Sequence, residues 1–264
     1  IANRRYQRKL IWKLDEKVKF IDSIIRGFPV PIILLAENRT RDKNFYEIID
    51  GMQRLNAITS FIENEYSVNG KYFDLNTMAV TKAAMDNGAL SQKNPIMERG
   101  ECVRIASYQL PLSIYEFSAG SSVDEIFRRI NSGGKQLSRQ ELRAAGATGQ
   151  FAQAVRKIGA KVRGDDSLSE VIPLNEMKKI SIISGDQVGE KIIGISVDKI
   201  FWVEQGILTK DGVRESRDEE LIADIVSYMV SDPPHSSRSE FIDDFFGMKD
   251  DEAAQARFNS IETA

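Results

Sequence analysis

A chain of 264 residues with a formal net charge of −3 is long enough to bury one large core or two small ones, and its balance of charge gives nucleic acid no global attraction. One cysteine, Cys102, and one histidine, His235, exclude an internal disulfide, a cysteine-rich zinc site and any histidine-rich nuclease motif within these residues. No apolar run reads as a transmembrane helix and no signal-peptide pattern is present, so the expected setting is the reducing cytoplasm, with no membrane partner. The sequence starts at Ile1 rather than Met and is read as part of a longer polypeptide.

The first twenty residues are locally basic: Arg4, Arg5, Arg8, Lys9, Lys13, Lys17 and Lys19 face only Asp15 and Glu16. Such a run is usually a solvated face, and it also suits the lining of a phosphate pocket. Val18, Ile21, Ile24 and Ile25 mark an amphipathic helix that Gly27 is placed to stop. Ile32–Leu35 and Phe45–Ile49, apolar and separated by a polar turn, predict a β-hairpin. Leu55, Ile58, Phe61 and Ile62 then recur at helical spacing in a helix running to about Glu65.

Asn69-Gly70, between short β-prone runs, is the strongest local hairpin signal. Residues 76–99 read as short helices and loops, and Leu110–Phe117 as a strand. A helix over Val123–Ile130 ends in Asn131-Ser132-Gly133-Gly134, and Ser138 with Glu141 has capping-box spacing for the next helix. Beyond Ala144 the sequence reads mainly helical: Phe151, Val155 and Ile158 form one apolar stripe, 195–207 and 221–230 are further apolar-periodic segments, and 241–246 starts a last helical stretch. Cys102 reads as a small half-buried residue, Trp202 as core or interface, and His235, after Asp232-Pro233-Pro234, as an exposed loop residue.

Between the second strand and its helix lies Asp50-Gly51-Met52-Gln53-Arg54. A helix N-terminus presents unpaired N–H groups and partial positive charge, which seats phosphate. Gly51 lets backbone approach a ligand, Arg54 offers a bidentate grip and Asp50 suits a metal-bound water. Taken alone, the pentapeptide reads more simply as a helix start with Asp50 as cap, Gly51 as turn and Arg54 in solvent.

Several stretches together resemble one family. Tyr6-Gln7-Arg8 with Trp12, Ile21–Gly27 with Pro29-Val30-Pro31, Asp50–Leu55, and Phe127–Gly134 through Leu137-Ser138 and Glu141-Leu142-Arg143 keep the order and spacing of the N-terminal domain of GmrSD-type restriction endonucleases. The resemblance covers Ile1 to about Ala145. It implies an α+β chain with a ParB/sulfiredoxin-like nucleotide-binding domain over 1–145, followed by a mainly helical coupling or sensing region over 146–264. It further implies binding, and often hydrolysis, of a nucleoside triphosphate in prokaryotic defence against modified phage DNA.

Carried over, Asp50 is the metal- or water-directing carboxylate and the holder of Mg²⁺, and Gln53 is its catalytic partner. Arg8, Gly51, Gln53, Arg54 and Asn131 contact the nucleotide phosphates, with Phe127 as a buttress. Met52 replaces the family's usual first Gln, which weakens hydrolysis if that Gln orients water and changes nothing if it packs. The family's nuclease domain is of a His-Asn-His type that one histidine cannot supply, so the nuclease is expected outside these residues.

Three functions are weighed. The first is an NTP-binding and NTP-hydrolysing regulatory domain without a P-loop, since G-x-x-x-x-G-K-[ST] is missing. The second is a non-catalytic DNA-sensing module using the basic N-terminal run with Arg128, Arg129, Lys135 and Arg139. The third, ranked last for want of a dense acidic cluster, is nuclease activity by the fold itself.

Overall fold

The computed structural model describes residues 1–3, 9–39, 44–116, 138–144, 147, 149–165, 171–183, 194–231 and 239–247. The chain divides into two compact units. One comprises Ile1–Ala2, Leu10–Phe117 and Ile172–Lys178, and the other Asn3–Lys9, Ser118–Val171 and Lys179–Ala264. Among the described residues no helix is long and apolar enough to cross a membrane.

The first unit is built on a mixed sheet. β1 (Ala2–Asn3) runs parallel to β3 (Asn44–Asp50), which pairs antiparallel with β2 (Ile33–Arg39) in the expected hairpin. β4 (Leu112–Glu116) lies parallel on the far side of β2, with Ile33 opposite Leu112. With the two-residue β5 (Val171–Ile172) the strand order is β4-β2-β3-β1-β5. This is the mixed-sheet-with-helices architecture expected of an α+β chain.

Helices α1 (Leu14–Ile25), α2 (Met52–Ile62), α3 (Ala79–Asp86) and α4 (Arg99–Ala106) complete this unit. α1 begins where Glu16 returns its carboxylate to the Lys13 N–H at 2.9 Å, and it is closed by Gly27 at φ +73°. Its Ile21 and Ile24 pack in one core with Phe61, Phe73, Cys102 and Ile105. Cys102 is more deeply enclosed than its neighbours suggested: it is fully buried, and burial pushes its thiol up despite the Asp74 N–H it accepts. The Asn-Gly hairpin is reduced to its turn. Asn69 and Gly70 adopt φ +52° and +72°, but only Val68 and Lys71 bridge antiparallel, because Tyr72 next pairs in parallel with Ile96.

The second unit holds α5 (Arg139–Ala144), α6 (Gln150–Arg163), β6 (Ile182–Ile183), β7 (Ile195–Ser196), α7 (Phe201–Glu204), α8 (Lys210–Arg214), α9 (Arg217–Val230) and α10 (Ser239–Gly247). Both capping-box bonds form at α5: Ser138 Oγ accepts the Glu141 N–H at 3.2 Å and Glu141 Oε2 accepts the Ser138 N–H at 2.7 Å. The stripe led by Phe151 and Val155 packs on Ile222, Val226 and Ile242. Phe151 also stacks on Phe245 at 5.0 Å and meets Phe246 edge-on at 5.1 Å. Residues 195–207 are not one helix. Ile195 joins β7 parallel to β6, a 3₁₀ turn spans Val197–Lys199, and only then does α7 begin. The β6–β7 pair, donating the Ile195 N–H to Ser181 at 2.8 Å, overrides the helical spacing.

A buried charge cluster ties the second unit together. Lys9, 7 % exposed, donates to the Val213 carbonyl and lies 3.2 Å from Asp218 Oδ1. Asp218 Oδ2 accepts from Arg163 at 2.6 Å, and Arg163 also sits 3.0 Å from Glu219. Nearby, Arg143 pairs with Glu220 at 3.1 Å and with Asp243, joining α5, α9 and α10. His235 and the predicted helix Val123–Ile130 lie outside the described residues.

Polar satisfaction in the first unit converges on Asn64, which is 1 % exposed and held at φ +62°. Its Nδ2 donates to the Phe73 carbonyl at 2.8 Å, and its Oδ1 accepts from Gln92 Nε2 at 3.1 Å and from the Lys93 N–H at 3.0 Å. Asn64→Ala strands these groups and keeps the left-handed strain. We expect it to cost about 2–4 kcal/mol, read as a lowered urea midpoint; an unshifted midpoint would show the hub to be dispensable.

Candidate functional site

β3, the central strand, ends at Asp50, and the chain turns at Gly51 into α2. Gly51 adopts φ +100°, a conformation that side chains strongly disfavour. A Cβ there would also lie 2.9 Å from Ile33 Cγ1 and 3.2 Å from Arg54 Nη2. Glycine is therefore demanded twice, by dihedral angle and by the close approach of β2. The helix ladder opens with the Leu55 N–H donating to the Gly51 carbonyl at 2.9 Å. Gly51, the N-cap, has no side chain to offer the helix, and the first turn carries no acidic residue to complement the backbone dipole.

Asp50 does not act as the cap. Its Oδ2 accepts from Arg54 Nη2 at 2.6 Å, and the same nitrogen donates to the Ile32 carbonyl at 3.2 Å. Arg54 is thus fixed by two acceptors rather than free in solvent; its side chain is 12 % exposed while that of Asp50 is 43 % exposed. Among the described residues, both protein bonds fall on one terminal nitrogen, and Nε is buried with no hydrogen-bond partner. The turn thus brings together an oriented guanidinium, a half-exposed carboxylate and a helix start with no acidic residue in its first turn.

Gln53 has a different attachment. Its Oε1 accepts the N–H groups of Ile11 at 3.1 Å and Trp12 at 3.2 Å, which commits the oxygen to the segment leading into α1. Met52 is 3 % exposed, with its side chain in the interior. Arg8, Phe127, Arg128, Arg129, Asn131 and Lys135 lie outside the described residues, and with them the expected convergence of Arg8, Arg54 and Asn131. Arg139 is bound to Asp243 at 2.6 Å. Burial works against the Asp243 carboxylate, but hydrogen bonds from Arg143 and Arg139 prevail and hold it below its ordinary range.

Among the described residues, no group of three or more His, Cys, Asp or Glu side chains is placed to hold a metal ion. The contacts that sequence reasoning missed are the Ile32 carbonyl under Arg54 and the double grip of Gln53 on Ile11 and Trp12. Neither leaves a sequence signal, since one uses a main-chain oxygen and the other reaches across 41 or 42 positions.

A model of the family described as GmrSD restriction endonuclease, N-terminal domain, matches residues 2–147. No curated protein and no solved structure matches the chain.

Gly51→Ala should lower stability by about 1–3 kcal/mol and push Arg54 off Asp50, because Ile33, 1 % exposed, has little room to yield. A melting curve measures the first effect. An unchanged melt would mean that the turn relaxes without strain.

Proposed function

The chain belongs to the GmrSD restriction endonuclease N-terminal domain family, and from that premise we propose that it binds a nucleoside triphosphate at the first turn of α2 and hydrolyses it to regulate a DNA-targeting restriction system. Membership makes it a restriction-system component; the nucleotide chemistry is the inference. The observation that carries it is Arg54: largely buried and oriented by Asp50 and Ile32 through one terminal nitrogen, beside a helix start with no acidic residue in its first turn.

In this reading the N–H groups at the start of α2 and the Arg54 fork receive phosphate oxygens. Gly51 is the bare backbone against which phosphate rests. Asp50 keeps Arg54 aimed through Oδ2 and, being half exposed, is the residue that would hold Mg²⁺ together with the phosphate oxygens or direct a water. Such a site suits Mg²⁺, which commonly takes one or two carboxylates with substrate phosphates and water, and the ion would neutralise charge developing on the transferred group. Gln53 contributes by fixing the segment at Ile11 and Trp12 beside this turn. Recognition of modified DNA and coupling to a nuclease outside these residues complete the proposal, with Arg8, Asn131, Arg128, Arg129 and Lys135 as its further contacts.

The test is titration with ATP and GTP in the presence of Mg²⁺, followed by phosphate release. Arg54→Ala should lose about ten- to a hundredfold in affinity, the worth of a charge-assisted contact of about 1.5–3 kcal/mol. Asp50→Asn, which keeps an acceptor for Arg54, should retain binding while turnover falls about 10²–10⁴-fold. Unchanged phosphate release from folded Asp50→Asn protein would end its catalytic role and leave a binding module. Absence of binding by the wild-type chain would end the nucleotide reading.

A further inference from the structure

The sheet of the first unit ends in β4, and among the described residues β4 has a neighbouring strand on one side only, β2. Sheets commonly blunt such an edge with lysine, proline, a bulge or a covering element. β4 reads Leu-Ser-Ile-Tyr-Glu, with Glu116 as its one charge, and Leu112, Ile114 and Tyr115 are each about half exposed. Its five residues contain neither lysine nor proline, and its pairing with β2 runs without a register shift.

The ladder fixes which backbone groups of β4 face outward. The Ile33 N–H donates to the Pro111 carbonyl at 2.9 Å, with Ile33 opposite Leu112. Bonded residues alternate along a parallel ladder, so 111, 113 and 115 turn their backbone groups to β2. The N–H and C=O of Leu112 and Ile114 therefore point away from it, along the open edge, where another strand can pair with them.

We infer that β4 is a dimerisation edge, on which a second copy of this chain pairs antiparallel about a twofold axis at Ser113. The strand is complementary to itself in this register. Leu112 lies opposite Ile114 of the partner subunit, and Ile114 opposite the partner's Leu112. Each pair exchanges two hydrogen bonds and joins two apolar side chains that are half in water. Ser113, the smallest residue of β4, meets its own copy on the axis, at a position where opposed residues come closest. Tyr115 meets the partner's Pro111. The two Glu116 carboxylates fall at opposite ends of the pairing, whereas a parallel alignment in register would set them against each other and is not closed by a twofold. This inference does not depend on the nucleotide reading.

Sedimentation of the full chain from about 1 to 100 µM, a range suited to a small interface, tests it. Wild type should pass from monomer to dimer. Leu112→Lys puts a charge opposite the partner's Ile114, and Ile114→Pro removes an outward N–H while sparing the β2 ladder. Each should weaken the dimer by about tenfold or more with an unchanged melting curve. Ser113→Cys should give a disulfide-linked dimer on mild oxidation and Glu116→Cys should not, and the buried Cys102 takes no part. Leu112 is half exposed, so Leu112→Lys and Ser113→Cys carry the test even where Ile114→Pro fails to fold. A wild-type chain that stays monomeric throughout overturns the inference and leaves the edge to a strand of another protein. A dimer that Leu112→Lys leaves intact and Ser113→Cys does not cross-link overturns it as well, because the copies then meet elsewhere.

Discussion

Asp218, a carboxylate with no exposed surface, sets the terms on which the second unit assembles. Buried charge is costly unless it is paired and hydrogen-bonded, and Asp218 meets that demand by taking Lys9 on one oxygen and Arg163 on the other. Burial alone would lower both cations. For Arg163 it is outweighed by Asp218 and Glu219, which hold the guanidinium above its ordinary value, whereas Lys9 remains pulled down by burial despite Asp218. Such a cluster need not add much net stability, but losing one partner leaves the others uncompensated. It therefore specifies one arrangement, and it requires residues 209 positions apart to meet.

Two helix starts in this chain solve the same electrostatic problem in opposite ways. α9 opens with Asp218, Glu219 and Glu220, which complement the backbone dipole and are met by Lys9, Arg163 and Arg143. α2 opens on a glycine with no acid in its first turn. The neighbouring Asp50 is turned to Arg54 rather than to the helix N–H groups, so the pair is balanced in charge while the helix start keeps its own partial positive charge. The first arrangement is closed and structural. The second is open toward an anion from outside, and this asymmetry is the physical basis of the proposed phosphate site.

Backbone geometry keeps that site open. Gly51 lies against Ile33 on β2, and Ile32, one residue earlier on the same chain segment, supplies the carbonyl that orients Arg54. The β2–β3 hairpin thus supplies the floor, the turn and the orienting acceptor together. Met52 and Gln53, adjacent in sequence, diverge because successive helical positions point about 100° apart: Met52 enters the interior, while Gln53 reaches the backbone at Ile11 and Trp12.

Sequence alone determined whatever depends on neighbours a few positions away. The β2–β3 hairpin, the strand-to-helix junction at Asp50–Arg54, the Ser138–Glu141 box and the Phe151–Val155 stripe are legible because period, turn chemistry and capping are local. The ordered motifs likewise point to the family. Tertiary structure decided what each polar group spends itself on. Taken alone, Asp50 reads more simply as a cap until Arg54 is seen to claim one of its oxygens. Nothing local in the sequence shows that the Gln53 oxygen takes the N–H groups of Ile11 and Trp12, and Lys9 reads as one more solvated cation until Asp218 buries it. The 195–207 segment breaks into strand and turn because Ile195 finds a parallel partner in β6. Hydrogen bonds and ion pairs of this kind join residues remote in sequence, and their energies depend on burial, which no local pattern encodes.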